Sequence, residues 1–265
     1  MLHVNAAAAL ISVISGCRLL TANGNVSNAR WHEGDLYATA DGWIVKFDES
    51  LDNWRIISGN RDDKRVDAFA VFDERLFFVI YKDTHCVTAW SRFNRAIYAG
   101  RYATAGFLDG DLLKGMMNNP RDIEVFNGLL IVADTYNGAV RVLDSKRMRT
   151  VIKTDISPMF IAVYGLLAVA DKTLAHSYEY NNFTVVQTLE PNSPINGIKC
   201  LNYTCALLTE TYLMWINPLI PARSTNGGGR ELALKDENTV AVLTDDYRVK
   251  ECVIEEASAL EEPEY

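Results

Sequence analysis

The sequence predicts an all-β chain folded as a six-bladed β-propeller, with an N-terminal strand closing the last blade. Two observations carry this. An apolar strand ending in a turn residue recurs six times: DLYATAD, RLFFVIY, LLIVAD, LLAVADK, TCALLTE and TVAVLTD. The copies stand roughly 40 residues apart, the length of a blade of four short strands. A third observation concerns the start of the chain. LISVISG (Leu10–Gly16) matches WRIISG and RAIYAG, which follow later copies, and so it stands where a fourth strand belongs.

Each copy expands in the same order. A shorter strand precedes it: Ala68–Val71, Asp122–Val125, Phe160–Val163, Gly197–Cys200 and Glu231–Leu234. Turn formers such as Phe126-Asn127-Gly128 and Tyr164-Gly165 separate the two, as a tight hairpin requires. A polar turn and a third strand follow: WIVKFD, CVTAW, AVRVLD, AHSYEY, YLMWIN and RVKECVI. Fourth strands are expected at Trp54–Gly59, Arg95–Gly100, Arg149–Thr154 and Thr184–Leu189. The last copy shows none of its own. A ring closed by Leu10–Gly16 would supply it and remove exposed sheet edges. The competing reading of this region is a signal peptide, with Ile14-Ser15-Gly16-Cys17 resembling a bacterial lipobox, but no Lys or Arg precedes the apolar run. The Pro, Ser and Gly of Ile216–Arg230 predict a long flexible loop before the sixth unit. No domain boundary is visible: residues 9–256 read as one propeller and residues 257–265 as an acidic, solvated tail.

Composition bounds the function. The net charge of −8 argues against a sequence-independent grip on nucleic acid, which needs clustered Lys and Arg. No run is long and apolar enough to span a bilayer. The five cysteines are too few and scattered for a disulfide framework. Cys200 and Cys205 flank a four-residue segment in which a hairpin would place them opposite one another, so a cross-hairpin disulfide and two unrelated buried thiols both stand open. The Asn-x-Ser/Thr sequences at Asn25, Asn182 and Asn202 barely exceed the roughly two that chance supplies in such a composition. The compartment follows the N-terminus: cytoplasmic if Leu10–Gly16 is a retained strand, secreted or lipid-anchored if it is cleaved.

The stretch Ala105–Asp144 carries the most specific signal. It holds Gly106-Phe107-Leu108-Asp109-Gly110, Pro120, Ile123-Glu124-Val125 and Val132-Ala133-Asp134-Thr135-Tyr136-Asn137. This resembles an NHL repeat, and the resemblance implies a six-bladed propeller of NHL type. Such propellers mostly serve as interaction platforms for proteins or RNA, while a few related propellers are enzymes.

Candidate sites follow from the repeat. Asp41, Asp134, Asp171 and Asp245 end the core strand and are expected to cap the turn after it. The positions just ahead of the innermost strand should ring the mouth of the central channel: Ser27, Asp67, Arg121, Met159, Asn196 and Arg230. Asp67, Arg121, Asn196 and Arg230 are the expected ligand or partner contacts, the two Arg suiting an anionic group or acidic peptide. No catalytic residue and no cofactor or metal is expected. The alternative is a calcium-dependent lactonase-like hydrolase holding its ion at Asp67 and Asn196, since Asn196-Gly197 resembles a ligand step of such propellers. His3, His32, His85 and His176 fall at non-equivalent places and predict no zinc site. Trp31, Trp43, Trp90, Tyr136, Tyr178, Tyr180, Tyr212 and Trp215 should pack mostly between blades, a few forming a binding patch. RNA would require Arg101, Lys114, Arg121, Arg147 and Lys153 to form a basic face. A non-catalytic platform for a protein partner, or a module of a larger assembly, is the leading expectation. The hydrolase comes second and RNA binding third.

Overall fold

The computed structural model describes residues 10–11, 13–20, 26–59, 66–91, 94–201, 204–217, 220–226, 229–235, 239–243 and 249–255. The chain opens with β1 (Leu10–Ile11) and β2 (Val13–Leu20). Blade 1 is β3 (Val26–His32), β4 (Asp35–Ala40), β5 (Trp43–Asp48) and β6 (Asn53–Gly59). Blade 2 is β7 (Val66–Asp73), β8 (Leu76–Tyr81), β9 (Cys86–Ser91) and β10 (Arg95–Gly100). A short outer strand, β11 (Gly110–Asp111), precedes blade 3, which is β12 (Asp122–Phe126), β13 (Leu129–Asp134), β14 (Ala139–Leu143) and β15 (Arg147–Lys153). Blade 4 is β16 (Phe160–Tyr164), β17 (Leu166–Ala170), β18 (Ala175–Glu179) and β19 (Val185–Leu189). Blade 5 is β20 (Ile195–Leu201), β21 (Thr204–Thr209), β22 (Tyr212–Asn217) and β23 (Ile220–Asn226). Blade 6 contributes β24 (Glu231–Leu234), β25 (Thr239–Leu243) and β26 (Val249–Glu255).

These strands form six small antiparallel sheets, and β2 is the fourth strand of the sixth, in the order β2-β26-β25-β24. The N-terminal strand therefore closes the ring. It lies a few residues later than Leu10–Gly16 predicts, pairing Val13 with Glu255 and Leu20 with Val249. Leu10–Ile11 lies instead beside β23 in a short parallel pairing. One expectation is corrected here. The region 216–230 is not a long loop, because β23 within it is the fourth strand of blade 5 and pairs with β22. Pro221 falls where the β22–β23 register shifts, opposite Ile216, an irregularity of the kind that accommodates proline. The tail 257–265 lies outside the described residues.

The second strand of each blade is a continuous apolar run because the sheet is packed on both faces by neighbouring blades. Leu130, Ile131, Val132 and Ala133 are all buried, as are Leu167, Ala168, Val169 and Ala170. Six buried clusters result, one at each interface. One joins Ala70 and Phe78 of blade 2 to Ile123 and Val132 of blade 3, and another joins Ala38 and Val45 of blade 1 to Ala241 and Val249 of blade 6. Outer strands face solvent on one side, and Val185 and Val186 of β19 are exposed. Antiparallel alternation then fixes two faces of the disc. The start of each innermost strand and the turn between second and third strands share the mouth face; the turns between first and second and between third and fourth strands lie on the other.

Candidate functional site

The mouth positions come out equivalent around the ring, by two devices. Arg121, Met159 and Arg230 stand immediately before β12, β16 and β24, and each donates its backbone N–H to the second strand, at Ala133, Ala170 and Leu243 respectively. In blades 1, 2 and 5 the register shifts between Val26 and Asn28, between Val66 and Ala68, and between Ile195 and Gly197. Ser27, Asp67 and Asn196 are thus bulged residues, a device that re-aims a side chain. The side chain of Ser27 lies outside the described set.

Asp67, Arg121 and Asn196 are each engaged near their own blades. The Arg121 guanidinium lies 3.9 Å from Asp67. The Asn196 Oδ1 accepts a hydrogen bond from Lys172 Nζ at 2.7 Å, and its Nδ2 donates to the Gly229 carbonyl at 2.7 Å. Burial pulls the Lys172 ammonium down from its ordinary pKa, against the nearby Glu210 carboxylate. Among the described residues no group of three or more His, Cys, Asp or Glu is placed to hold a metal. The histidines are scattered: His85 Nδ1 accepts from the Asn119 amide at 3.0 Å, and His176 Nδ1 lies 3.0 Å from Thr188 Oγ1. His3 lies outside the described residues.

Below the mouth the channel is crossed by charges that sequence reasoning missed. Arg30 of β3 pairs with Asp122 of β12 at 2.7 Å and lies 3.9 Å from Glu124. Glu124 in turn accepts from Lys199 of β20. Blades 1, 3 and 5 are not neighbours, so these groups meet only across the axis. Asp122 also accepts from the Ile161 amide of blade 4 at 2.9 Å. The spacing carried a signal. Three residues on from each mouth position stand Arg30, Ala70, Glu124, Ala162, Lys199 and Ala233. Long charged side chains alternate with alanines around the ring, and the alanines leave the room in which the charges meet.

A second network organises blade 3. Asp134 is fully buried and accepts from the Asn118 amide at 2.7 Å, from Asn137 Nδ2 at 2.8 Å and from Arg141 Nη1 at 2.7 Å. Arg141, also fully buried, donates further to the Met116 and Leu108 carbonyls and to Asp109 Oδ1. Asn137 reaches the Gly106 carbonyl at 2.8 Å. Asp134 makes no cap of the short turn that follows it, which corrects that expectation. Instead it clamps the Gly-rich segment to the blade. Burial pushes its carboxyl up from the ordinary value, against the hydrogen bonds of Asn137, Asn118 and Arg141. Asp171 does cap, accepting from the amides of Thr173 and Leu174 at 2.7 and 2.8 Å. Asp41 lies in a left-handed turn, and Asp245 is outside the described residues.

The clamped segment is an ordered outer hairpin. Leu108 bridges Met116, β11 pairs with β15, and Gly110 adopts a φ of 134° that disfavours any side chain. It presents Tyr102, Phe107, Leu108 and Leu113 to solvent, beside Tyr136 on the neighbouring turn. Lys153 Nζ stands 3.6 Å from the centre of the Phe107 ring and donates to the Asn137 carbonyl, so Phe107 and Lys153 adjoin the turn that carries Tyr136. Arg101, Lys114 and Arg147 are exposed nearby. Of the other aromatic candidates, Trp90 and Tyr178 are buried, while Trp31, Trp43, Tyr180 and Tyr212 pack against interblade clusters. The side chain of Trp215 lies outside the described set. Cys200 and Cys205 face one another across the β20–β21 hairpin and are joined by a disulfide. Cys252 is disulfide-bonded too, and Cys86 is buried.

No family model and no curated protein matches the chain. Solved structures do. The chain is similar to a streptogramin B lyase, with a TM-score of 0.66, 9% identity, and coverage of 90% of this chain and 97% of the other. A gluconolactonase from Xanthomonas campestris gives a TM-score of 0.66 at 10% identity, covering 90% and 89%. A chain of a nidogen/laminin complex gives 0.62 at 11%, covering 79% and 85%. At such identities the likeness establishes the propeller fold alone.

Proposed function

We propose that this protein is a non-catalytic propeller of NHL type that docks a protein partner on the ridge of blade 3. The observation that carries the reading is the ridge itself. Five of the thirteen exposed large hydrophobic residues described, Tyr102, Phe107, Leu108, Leu113 and Tyr136, belong to it. Apolar side chains grouped on a rigid support suit a binding face, and aromatic residues supply most of the energy of such faces. The support here is the Asp134–Arg141 clamp, built from the residues that resemble the NHL pattern. Arg101, Arg147 and Lys153 favour a partner whose apolar contact surface is rimmed by carboxylates, Lys114 being paired with Asp111.

The hydrolase alternative finds less support at the mouth. A calcium site needs several free oxygen donors. Asn196 Oδ1 already accepts from a lysine ammonium, and Asp67 has the Arg121 guanidinium beside it. Two cations at the proposed ligands oppose a third, so the donor set does not fit calcium.

The test is affinity capture from the native source with intact chain and with a Leu113→Asp/Tyr136→Asp variant. Both residues are well over half exposed, so the variant keeps its fold. The reading expects the partner's affinity to fall at least tenfold. Equal capture by both, or hydrolysis of a lactone that depends on Asn196, contradicts it.

A further inference from the structure

Asn182-Phe183-Thr184 forms the tip of the β18–β19 hairpin, and both Asn182 and Thr184 are exposed. The turn is closed by the Phe183 amide donating to the Glu179 carbonyl at 2.8 Å and the Glu179 amide donating to Thr184 at 2.9 Å. Within it, Asn182 Oδ1 accepts from the Thr184 amide at 2.9 Å and from Thr184 Oγ1 at 2.7 Å. Asn182 Nδ2 donates to Glu179 Oε2 at 2.8 Å. Hydrogen bonds donated to the amide oxygen make the Nδ2 protons more acidic, and a carboxylate accepting from Nδ2 raises electron density on that nitrogen. As a third-to-fourth strand turn, the site lies on the disc face opposite the mouth and Tyr136.

The cysteines supply an independent observation. Three of them, Cys200, Cys205 and Cys252, are in disulfides. Disulfides persist in oxidising compartments, and Asn-x-Ser/Thr sequences are glycosylated on surface loops of secreted proteins. The residues Leu10–Ile11 and Val13–Gly16 nevertheless lie in sheets, so a strand at this position and a reducing cytoplasm are not tied together.

We infer that the protein matures in an oxidising secretory compartment and that Asn182 carries an N-linked glycan. The donor class is a polyprenyl-pyrophosphate oligosaccharide. Asn182 Nδ2 bonds to the anomeric carbon and loses one proton to a base. The bond from that carbon to the pyrophosphate oxygen breaks, and the pyrophosphate leaves with the electron pair; nothing is oxidised or reduced. The amide keeps one N–H for Glu179, so the folded turn tolerates the product. A glycan there leaves the mouth and Tyr136 uncovered. Asn25 and Asn202 lie outside the described residues.

The test starts with protein from its native source. It is digested without reduction and treated with an amidase that releases N-glycans in heavy-oxygen water. The expected result is labelled aspartate at position 182 together with a peptide cross-linked through Cys200 and Cys205. An unmodified Asn182 peptide overturns the glycan assignment, and alkylatable thiols at Cys200 and Cys205 overturn the compartment. As a second arm, intact protein secreted from eukaryotic cells should lose one glycan-sized step in Asn182→Gln and Thr184→Ala, and keep it in Thr184→Ser. Retention of the full glycan mass in Asn182→Gln overturns the site.

Discussion

Blades 3 and 4 carry nearly the same second strand, LLIVAD and LLAVAD, yet the two terminal aspartates do different work. Asp134 is buried at the centre of a clamp that holds a separate hairpin to the sheet. Asp171 is partly exposed and closes its own turn. The difference comes from the third strand. Where blade 3 places Arg141 opposite Val132, blade 4 places His176 opposite Val169, and no Gly-rich segment precedes it. A carboxylate at a strand end takes whatever donors stand opposite. One arginine is enough to turn a local cap into a long-range tie.

The largest effect should come from removing that arginine. Arg141→Ala leaves Asp134 buried and uncompensated, and breaking such a pair costs about 3–5 kcal/mol. Urea unfolding should show this loss, and Arg141→Lys should restore little because an ammonium cannot fork to two carboxylates and two carbonyls. His176→Gln at the corresponding position of blade 4, which has a neutral hydrogen-bond contact with Thr188 to lose, should cost about 1 kcal/mol. Similar losses at the two positions would dissolve the distinction between the blades.

The aspartates themselves come next. Asp134→Asn should cost several times as much as Asp171→Asn, for which about 1 kcal/mol is expected from weakened turn hydrogen bonds. Hydrogen exchange sharpens this. Asp134→Asn should expose amides from Gly106 to Met117, far from the mutation in sequence, whereas Asp171→Asn should affect only Thr173 and Leu174.

The smallest effect is a pH dependence. Burial of Asp109 opposes its charge, but hydrogen bonds from Thr150 and the Arg141 guanidinium outweigh it and hold the carboxyl below its ordinary value. A carboxylate depressed on folding contributes stability above its unfolded pKa and loses it as pH falls through the folded one. The stability gap between wild type and Asp109→Asn should therefore be present at neutral pH and close in acid. A gap that widens on acidification would contradict the assignment.

Much of the architecture was legible because it repeats. The LLIVAD strand, the Asn127-Gly128 turn and the strand at the N-terminus each have a local signature. The fourth strand of blade 5 was not legible, because Pro218, Pro221 and the glycines around it read as a loop, and only a partner strand shows that an outer position tolerates them. The starts of the innermost strands were legible in position and not in their contacts. Asp67, Arg121, Asn196 and Arg230 stand at the starts of innermost strands. Lys172 on Asn196, and Arg30 and Lys199 on the acids of β12, depend on distances between blades that no single strand encodes. Asp134 was noticed for its residue type, and its role lay in Arg141, seven residues away on the next strand.

The docking ridge is the central claim, and hydrogen exchange on the captured complex tests it most directly. Partner binding should protect Phe107 to Lys114 and the Tyr136 turn while leaving the mouth segments at Asp67 and Asn196 unchanged. Protection confined to the mouth segments, with the ridge exchanging freely, would contradict the account.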